Sequence, residues 1–195
     1  VAPINLYGAT KVCSDKIFIA ANNFKGNKPI KFSIVRYGNV MGSRGSVLPI
    51  FLKNKKNFNI TDPRMTRFNI SMEEAIELVI LALEKNKGGE IFIPKLASYN
   101  IMDLAKAVSP NAKIKITGKR PGEKLHEEMI TKSESVCAID MKKYFVIYSE
   151  FNRAMGEKNN FSKSKFLKKE FSYNSEENNN FLSIEELKKI ILKFN

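Results

Sequence analysis

The chain has 195 residues, 43% of them hydrophobic, and a formal net charge of +13, because 33 Lys and Arg residues outnumber 20 Asp and Glu residues. This length suits one ordinary domain or most of a two-lobed one, and no apolar run is long enough to cross a bilayer or act as a signal peptide, so a cytoplasmic protein without a membrane partner is expected. The two cysteines lie far apart and outside any zinc-type spacing, which indicates neither a disulfide framework nor a metal site.

The positive charge raises the possibility of nucleic-acid binding, since clustered Lys and Arg side chains neutralise phosphates. Here the lysines are scattered, often beside asparagines as in residues 54–57 and 158–160. Aromatic residues do not alternate with them, as a stacking platform for single strands requires. We therefore expect no nucleic-acid partner and keep a basic nucleic-acid binder only as a third hypothesis.

Helix and strand patterns alternate from the beginning of the chain. Residues 5–24 place apolar side chains at helical spacing and stop before Gly26, which predicts a helix. Residues 31–36 are rich in β-branched and aromatic side chains and predict a buried strand. The glycine-rich stretch 36–46 predicts a loop whose backbone can closely approach a ligand.

The alternation continues through the middle of the chain. Ser71 and Glu74 have capping-box spacing and open an amphipathic helix that Gly88 and Gly89 end. The elements predicted next are a strand at 90–93, a helix at 101–108, a strand at 113–117 and a helix at 124–130. This order favours an α/β architecture.

The pattern weakens beyond residue 149. Residues 152–180 are polar and poor in apolar side chains, which is typical of a loosely ordered arm. Ser183 and Glu186 then repeat the capping-box spacing and predict a C-terminal amphipathic helix.

Tyr7 and Lys11 stand four residues apart on the first predicted helix and therefore share one face. Their phenol and ammonium groups can converge on one substrate atom, and a neighbouring cation favours the phenolate, the form that can accept a proton. This arrangement is typical of proton transfer. The same spacing also arises by chance on surface helices, so it indicates catalysis only together with other site residues.

A second group of residues suits a nucleotide sugar. Arg67, Arg120 and the glycine-rich loop around Asn39 suit a diphosphate, because guanidinium groups donate in a fixed fork and stay charged. Glu123 can accept hydrogen bonds from ribose hydroxyls. Taken singly, the arginines can be solvated surface charges and Asn39 can cap a turn. The single histidine, His126, is expected to be a surface or packing residue and is left out of the site.

Several longer motifs follow one another in order across residues 1–150. They occupy residues 3–11, 35–40, 42–47, 60–68, 89–95 and 120–128. On these motifs the chain resembles the extended short-chain dehydrogenase/reductase superfamily. Within it, the sequence is most similar to the inverting UDP-N-acetylglucosamine 4,6-dehydratases that begin pseudaminic acid biosynthesis, which serves flagellin glycosylation.

The resemblance implies a fold and a division into lobes. The fold would be the C-terminal part of a Rossmann-like α/β fold with a smaller α/β substrate-binding lobe. Residues 1–39 would be the remnant of the dinucleotide-binding domain, to which 71–94 return. Residues 40–70 and 95–150 would form the nucleotide-sugar-binding lobe, and 151–195 a polar arm and the C-terminal helix.

The resemblance also implies a role for each site residue. Tyr7 would act on the sugar C4 hydroxyl as hydride leaves C4 for NADP, or for NAD, while Tyr7, Lys11 and Tyr37 would all contact the cofactor. Loss of the C5 proton and of the C6 hydroxyl would give an enone, the hydride would return at C6, and C5 would be reprotonated from the opposite face. The residues implied to bind UDP-N-acetylglucosamine are Asn39, Arg67 and Arg120 at the diphosphate, Glu123 at the ribose, and Arg44, Ser46, Val47 and Ile60 along the nucleotide pocket.

The sequence departs from the family at several points. The family's glycine-rich dinucleotide fingerprint belongs to an N-terminal half that this sequence does not contain, and its Asp-Lys acid–base residues would be expected immediately before Val1. A chain beginning at Val1 is thus expected to be a fragment or split-gene product, inactive alone and homo-oligomeric when full length. Asn69 stands where relatives often have tryptophan, which leaves packing beside Arg67 open. The alternatives are a UDP-sugar 4-epimerase, which needs no elimination base, and a non-catalytic UDP-sugar-binding module.

Overall fold

A computed structural model describes residues 1–148, 167 and 169–194. The chain divides into two compact units. Unit 1 comprises Val1–Tyr37, Glu73–Lys95 and Glu128–Tyr173, and unit 2 comprises Gly38–Met72, Leu96–Glu127 and Asn174–Asn195. Both units combine helices with short strands, so the predicted α/β class is confirmed.

The elements alternate in chain order. The helices are α1 (Leu6–Phe24), α2 (Val47–Lys53), α3 (Met72–Lys85), α4 (Ile101–Val108), α5 (Lys132–Ser135) and α6 (Ile184–Ile191), followed by a 3-10 turn, Leu192–Phe194. The strands are β1 (Ile34–Val35), β2 (Asn57–Ile60), β3 (Thr66–Asn69), β4 (Ile91–Pro94), β5 (Ala97–Asn100), β6 (Lys113–Ile116), β7 (Glu128–Ile130), β8 (Ala138–Asp140), β9 (Tyr144–Ile147) and β10 (Tyr173–Asn174). The helices predicted near residues 5–24, 71–89, 101–108 and 183 onward are confirmed, whereas the strand predicted at 31–36 is limited to β1.

Local capping explains where the helices begin. The Asn5 side chain accepts a hydrogen bond of 2.7 Å from the Gly8 amide at the start of α1. The Asn100 side chain accepts one of 2.7 Å from the Met102 amide at the start of α4. A reciprocal capping box opens α6 at Ser183. These side chains satisfy amides that have no partner inside the helix.

Unit 1 is built on a four-stranded sheet in the order β1-β4-β9-β8. β1 pairs with β4 in parallel, and β9 pairs antiparallel with both β4 and β8. The buried face of α3 packs on β4 and β9. Residues 128–148 therefore belong to unit 1, which differs from the sequence-based division that put 95–150 in one lobe. The reason for this difference is that β9 pairs with β4, a strand far from it in sequence.

Polar contacts contribute to holding α1 in unit 1, alongside a contact between the rings of Phe18 and Phe32. None of the residues of α1, all of them described, is buried. The Asn22 amide bonds both the N–H and the carbonyl of Phe32 at 3.0 Å. Arg36 Nε donates to Asp15 Oδ2 at 3.0 Å, and Arg36 Nη2 donates to Glu134 Oε1 at 2.9 Å. These bonds fix the helix that carries the predicted catalytic pair.

We expect Arg36→Met to lower the free energy of unfolding by roughly 2–4 kcal/mol, because two partly buried carboxylates lose their cation. The side chains of Asp15 and Glu134 are 21% and 20% exposed. Burial alone would raise the pKa of Glu134, but the hydrogen bonds and charge of Arg36, together with bonds from Thr131, bring it below its usual 4.5.

The effect of Arg36 should depend on pH. A carboxyl whose folded pKa is lowered adds stability above its unfolded pKa, and that stability is lost as the pH falls through the folded value. Urea unfolding of the wild type and Arg36→Met between about pH 7 and about pH 3 should thus show a difference that shrinks below about pH 4.5. A difference independent of pH would contradict this prediction.

Unit 2 carries two small sheets and three helices around one apolar core. β2 pairs in parallel with β6, and β3 pairs antiparallel with β5. The rings of Phe51 and Phe58 pack with centroids 4.3 Å apart. The buried core also contains Met41, Leu48, Ile60, Met65, Tyr99, Ile101, Leu104, Ala105, Ala107, Leu187 and Ile191. The apolar face of α6 thus completes the core of unit 2.

The helix predicted at residues 124–130 is wrong. The carbonyls of Lys124 and Leu125 accept hydrogen bonds of 3.1 and 2.8 Å from the Arg67 guanidinium. Because a side chain distant in sequence uses these carbonyls, they do not join a helical i to i+4 ladder. The last three residues of this stretch form β7 instead.

The arm predicted to be loosely ordered, residues 152–180, lies partly outside the described residues. From residue 174 onward, polar groups of this stretch form hydrogen bonds with β5 and with Leu96, the residue before β5. Asn178 Nδ2 donates to the Leu96 carbonyl at 2.8 Å, and the Ser98 amide donates to the Asn180 carbonyl at 2.8 Å. The prediction is therefore wrong for this part, because asparagine side chains and backbone groups, and not apolar burial, fix it.

Candidate functional site

Unit 2 contains a cavity of about 650 Å³, and the described residues that line it all belong to that unit. The walls come from α2 and the loop before it, from β2, β3 and β5, from the start of α4, and from the turn after β6. A cavity of this volume suits a small organic ligand. All eight residues implied as nucleotide-sugar ligands line it: Asn39, Arg44, Ser46, Val47, Ile60, Arg67, Arg120 and Glu123. Their roles as ligands stay predictions.

The charged side chains around the cavity are mostly positive. Three arginines and one glutamate line it. Arg44 and Arg120 are exposed, and no described residue hydrogen-bonds or ion-pairs with either guanidinium. Free guanidinium groups beside a cavity favour an anionic ligand with several oxygen acceptors.

Arg67 differs from the other two arginines because the protein already holds its guanidinium. Nη1 donates to the carbonyls of Thr66 and Leu125 at 2.7 and 2.8 Å, and Nη2 donates to the Lys124 carbonyl at 3.1 Å. Its Nε lies 3.9 Å from Glu127 Oε1. Arg67 therefore supplies a fixed positive charge at the cavity wall.

Glu123 and Ser46 offer groups that a ligand could use. Glu123 Oε1 accepts a hydrogen bond of 3.2 Å from Thr61 Oγ1, and Oε2 accepts one of 3.0 Å from the Arg120 amide. Each carboxylate oxygen keeps a further lone pair for a hydroxyl donor. The Ser46 Oγ is buried without a hydrogen-bond partner in the described part of the chain.

Glu127 was not singled out from the sequence, yet it contacts two of the predicted ligands. Its Oε1 accepts a hydrogen bond of 3.0 Å from Asn39 Nδ2, and its Oε2 accepts one of 2.8 Å from the Phe68 amide. Burial raises the pKa of Glu127, although the Phe68 N–H and the charges of Arg67 and Lys124 oppose that shift. Glu127 lies within the motif at residues 120–128, but neither its side-chain chemistry nor the resemblance assigned it a role.

Tyr99 is another residue that was not predicted from the sequence, and unlike Glu127 it lines the cavity. It stands directly opposite Arg67 in the register of β3 and β5, and it is buried. Burial raises the pKa of the Tyr99 phenol, and the charge of Glu127 raises it further. The phenol therefore stays protonated at neutral pH. It was missed because β5 itself was not predicted.

The three residues assigned to the cofactor all lie in unit 1. Tyr7 is 72% exposed near the start of α1. Lys11 Nζ lies 5.4 Å from the centre of the Tyr7 ring, so the two groups share one helix face. Tyr37 is also exposed and is the last residue of its segment. The catalytic and cofactor roles of these residues stay predictions.

His126 makes contacts that suit a packing residue. Its Nδ1 lies 2.8 Å from Thr66 Oγ1, and its Nε2 lies 3.5 Å from Glu176 Oε2. It does not line the cavity. Among the described residues, no group of His, Cys, Asp and Glu side chains is arranged to hold a metal ion, and no helix is long and apolar enough to cross a membrane.

Comparison with known proteins identifies the family. Residues 1–149 match the family described as polysaccharide biosynthesis protein. The chain belongs to this family. It is 48% identical, over 97% of its length, to a UDP-N-acetylglucosamine 4,6-dehydratase (inverting) of Campylobacter jejuni. A UDP-glucose 4-epimerase of Rickettsia bellii is 38% identical over 75% of the chain.

The fold comparison agrees with the family match. The solved structure of Pen from Bacillus thuringiensis is 36% identical, covers 100% of the chain and superposes with a TM-score of 0.86. The chain spans 59% of the length of the dehydratase and of Pen, and it matches the C-terminal part of the dehydratase. The resemblance stated from the motifs and the Rossmann-like fold class are confirmed. This member of the polysaccharide biosynthesis family therefore has the C-terminal part of a Rossmann-like fold.

Proposed function

We propose that this chain is the nucleotide-sugar-holding part of an NADP-dependent UDP-N-acetylglucosamine 4,6-dehydratase that inverts C5. The observation that carries the proposal is the unit 2 cavity, which gathers Arg44, Arg67 and Arg120 around about 650 Å³ beside the carboxylate of Glu123. Three guanidinium groups, of which the protein itself holds only that of Arg67, suit a diphosphate, and the neighbouring carboxylate suits the hydroxyls of a ribose. The 48% identity to the dehydratase supports the choice of sugar.

In the proposed complex each lining residue has a simple task. Arg44 and Arg120 donate to diphosphate oxygens, because no described residue uses their guanidinium groups. Arg67 adds its fixed charge, and Asn39 contributes its remaining amide donor. Glu123 accepts from the ribose hydroxyls. The unpartnered Ser46 hydroxyl donates or accepts along the nucleotide, and Val47 and Ile60 supply apolar contact.

Tyr7 and Lys11 supply proton transfer in the proposed reaction. Tyr7, which is exposed, acts as the phenolate: it takes the proton of the C4 hydroxyl during oxidation at C4 and becomes the phenol, while the nearby Lys11 ammonium offsets the phenolate charge before that transfer. An adjacent phenol and ammonium also fit the ribose of a nicotinamide cofactor, to which we assign Tyr37 as a further contact. When bound, NADP, which we favour over NAD, would accept hydride from C4 and return it to C6.

The order of bond changes follows from the chemistry of a 4-keto sugar. Oxidation at C4 acidifies the C5 proton. Removal of that proton expels the C6 hydroxyl as water and leaves an enone. Reduction at C6 and protonation of C5 from the opposite face give the inverted 4-keto-6-deoxy sugar. We place this product in pseudaminic acid biosynthesis and flagellin glycosylation, in the cytoplasm, with a homo-oligomeric whole protein.

A UDP-sugar 4-epimerase is the less supported candidate. It would use the same Tyr7, Lys11 and arginines. The epimerase relative is 38% identical over 75% of the chain, against 48% over 97% for the dehydratase. A non-catalytic UDP-sugar-binding module is the other candidate, and the cavity of unit 2 is its support.

Replacing Arg120 by Ala should weaken UDP binding about 10- to 100-fold, because a charge-assisted hydrogen bond contributes roughly 1.5–3 kcal/mol. Arg44→Ala should have a similar effect. Calorimetry with UDP at one fixed salt concentration measures both. Arg64→Ala is the matched control, since Arg64 is 71% exposed, pairs with Asp62 and does not line the cavity. No UDP binding by the wild type, or an equal loss in Arg64→Ala, would contradict the proposal.

A further inference from the structure

We propose that Glu127 is a positioning residue of the cavity. Its single carboxylate fixes the orientation of the Asn39 amide and the position of the strand that carries Arg67. The inference rests on the proposed function, because Asn39 and Arg67 act as ligands only if the cavity binds a nucleotide diphosphate. Glu127 itself does not line the cavity and would act through these neighbours.

Three groups from two separate segments meet at this carboxylate. Asn39 Nδ2 donates to Oε1 at 3.0 Å, and the Phe68 amide donates to Oε2 at 2.8 Å. Arg67 Nε lies 3.9 Å from Oε1, close enough for its charge to act but too far for a good hydrogen bond. One side chain thus fixes the position of the loop before α2 relative to the middle of β3 within unit 2.

The contact with Asn39 matters most, because Asn39 is exposed and no other described side chain is bonded to its amide. An exposed asparagine side chain loses conformational freedom when it binds a ligand. The bond to Glu127 fixes which end of the amide is nitrogen and leaves its second N–H for another acceptor. Glu127 therefore prepares Asn39 to donate before any ligand arrives.

Glu127 is itself held firmly through its backbone. Its amide donates to Ser175 Oγ at 2.9 Å, and its carbonyl accepts from the Ser175 amide at 2.8 Å. Ser175 Oγ also lies 2.7 Å from Thr66 Oγ1, and both of these side chains are buried. The segment after residue 174 thus fixes the backbone of Glu127, so that its carboxylate does not move with the ligand.

The chain leaves room for this carboxylate at Gly38. A Cβ on Gly38 would lie 2.7 Å from Phe68 Cβ and 3.4 Å from Glu127 Oε2. The first distance is shorter than side chains tolerate, so a larger residue there would push the loop away from β3. Gly38 therefore permits the approach that lets the next residue, Asn39, reach Glu127.

A carboxylate suits this position better than an amide. Both oxygens accept, whereas glutamine would place its NH2 group against either Asn39 Nδ2 or the Phe68 amide. Glutamine also lacks the negative charge that faces Arg67. Aspartate keeps two acceptors and the charge on a shorter side chain, so it should restore part of the function.

The test compares UDP with uridine, which lacks phosphates. Calorimetry of the whole chain should show that Glu127→Gln weakens UDP binding about tenfold or more and changes uridine binding by less than about twofold. Glu127→Asp should recover part of the UDP affinity. The matched control is Glu185→Gln on α6, because Glu185 is 75% exposed and pairs only with Lys188 among the described residues, so both affinities should stay unchanged.

A double-mutant cycle with Asn39→Ala separates positioning from a general effect on unit 2. If Glu127 acts through Asn39, Glu127→Gln should weaken UDP binding less in the Asn39→Ala background than in the wild type. Additive losses, or equal proportional losses of UDP and uridine binding, would overturn the inference while the wild type still binds UDP. A wild type without UDP affinity would overturn the proposed function as well, so the two failures are distinguishable.

Discussion

Replacing Arg67 by Met should lower the free energy of unfolding by roughly 3–5 kcal/mol, because it removes a partly buried cation that serves several acceptors. The carbonyls of Thr66, Lys124 and Leu125 would each lose a donor. Glu127, whose side chain is 22% exposed, would lose the cation that lies 3.9 Å away. Urea unfolding monitored by circular dichroism measures the loss, and UDP binding should fall as well.

Arg64→Met is the matched control for this substitution. Arg64 lies three residues before Arg67, but its side chain is 71% exposed and its described partner is Asp62. Solvent screening and the cost of ordering two long side chains make such exposed pairs weak. Arg64→Met should therefore leave stability nearly unchanged. Equal destabilisation by Arg67→Met and Arg64→Met would contradict the prediction that the hydrogen bonds from Arg67 to backbone carbonyls stabilise the fold.

The eight positions predicted as nucleotide-sugar ligands all line the unit 2 cavity, although other lining residues and all of the contacts were not predicted. Positions near 39–47, 60–67 and 120–123 are far apart in sequence. Side-chain chemistry grouped Asn39, Arg67, Arg120 and Glu123, and the family resemblance added the other positions. In the structure the loop before α2, the strands β2 and β3, and the turn after β6 bring all of them to one cavity. Pattern analysis of helices and strands would not have brought these positions together, because periodicity carries no information on long-range pairing.

The residues that sequence analysis missed are those whose role depends on tertiary contacts. Glu127 precedes another glutamate, and only the approach of Asn39 and Phe68 distinguishes it. Tyr99 acquires its position from the register of β3 and β5. The helix wrongly predicted at 124–130 has the same origin, since Arg67 takes carbonyls that local periodicity assigned to a helix.

Tyr7→Phe should lower turnover of UDP-N-acetylglucosamine by about 10²- to 10⁴-fold, the usual contribution of a positioned acid or base. The substitution removes one hydroxyl from an exposed ring and keeps the ring beside Lys11. The assay requires a protein that joins this chain to the N-terminal part carried by the Campylobacter jejuni relative, since the chain spans 59% of that protein. UDP affinity should not change, because the cavity is lined by residues of unit 2 whereas Tyr7 lies in unit 1.

Tyr144→Phe is the matched control, because the Tyr144 ring packs 6.3 Å from the Phe92 ring in unit 1 and no catalytic role is assigned to its hydroxyl. It should keep turnover within about twofold, because the proposed reaction gives its hydroxyl no proton to transfer. Reaction in deuterated water then separates the dehydratase from the epimerase. A 4-keto-6-deoxy product with deuterium at C5 requires loss and return of the C5 proton. An epimerised sugar without deuterium at C5 would contradict the proposed elimination. Tyr7 would then act only in proton transfer at C4.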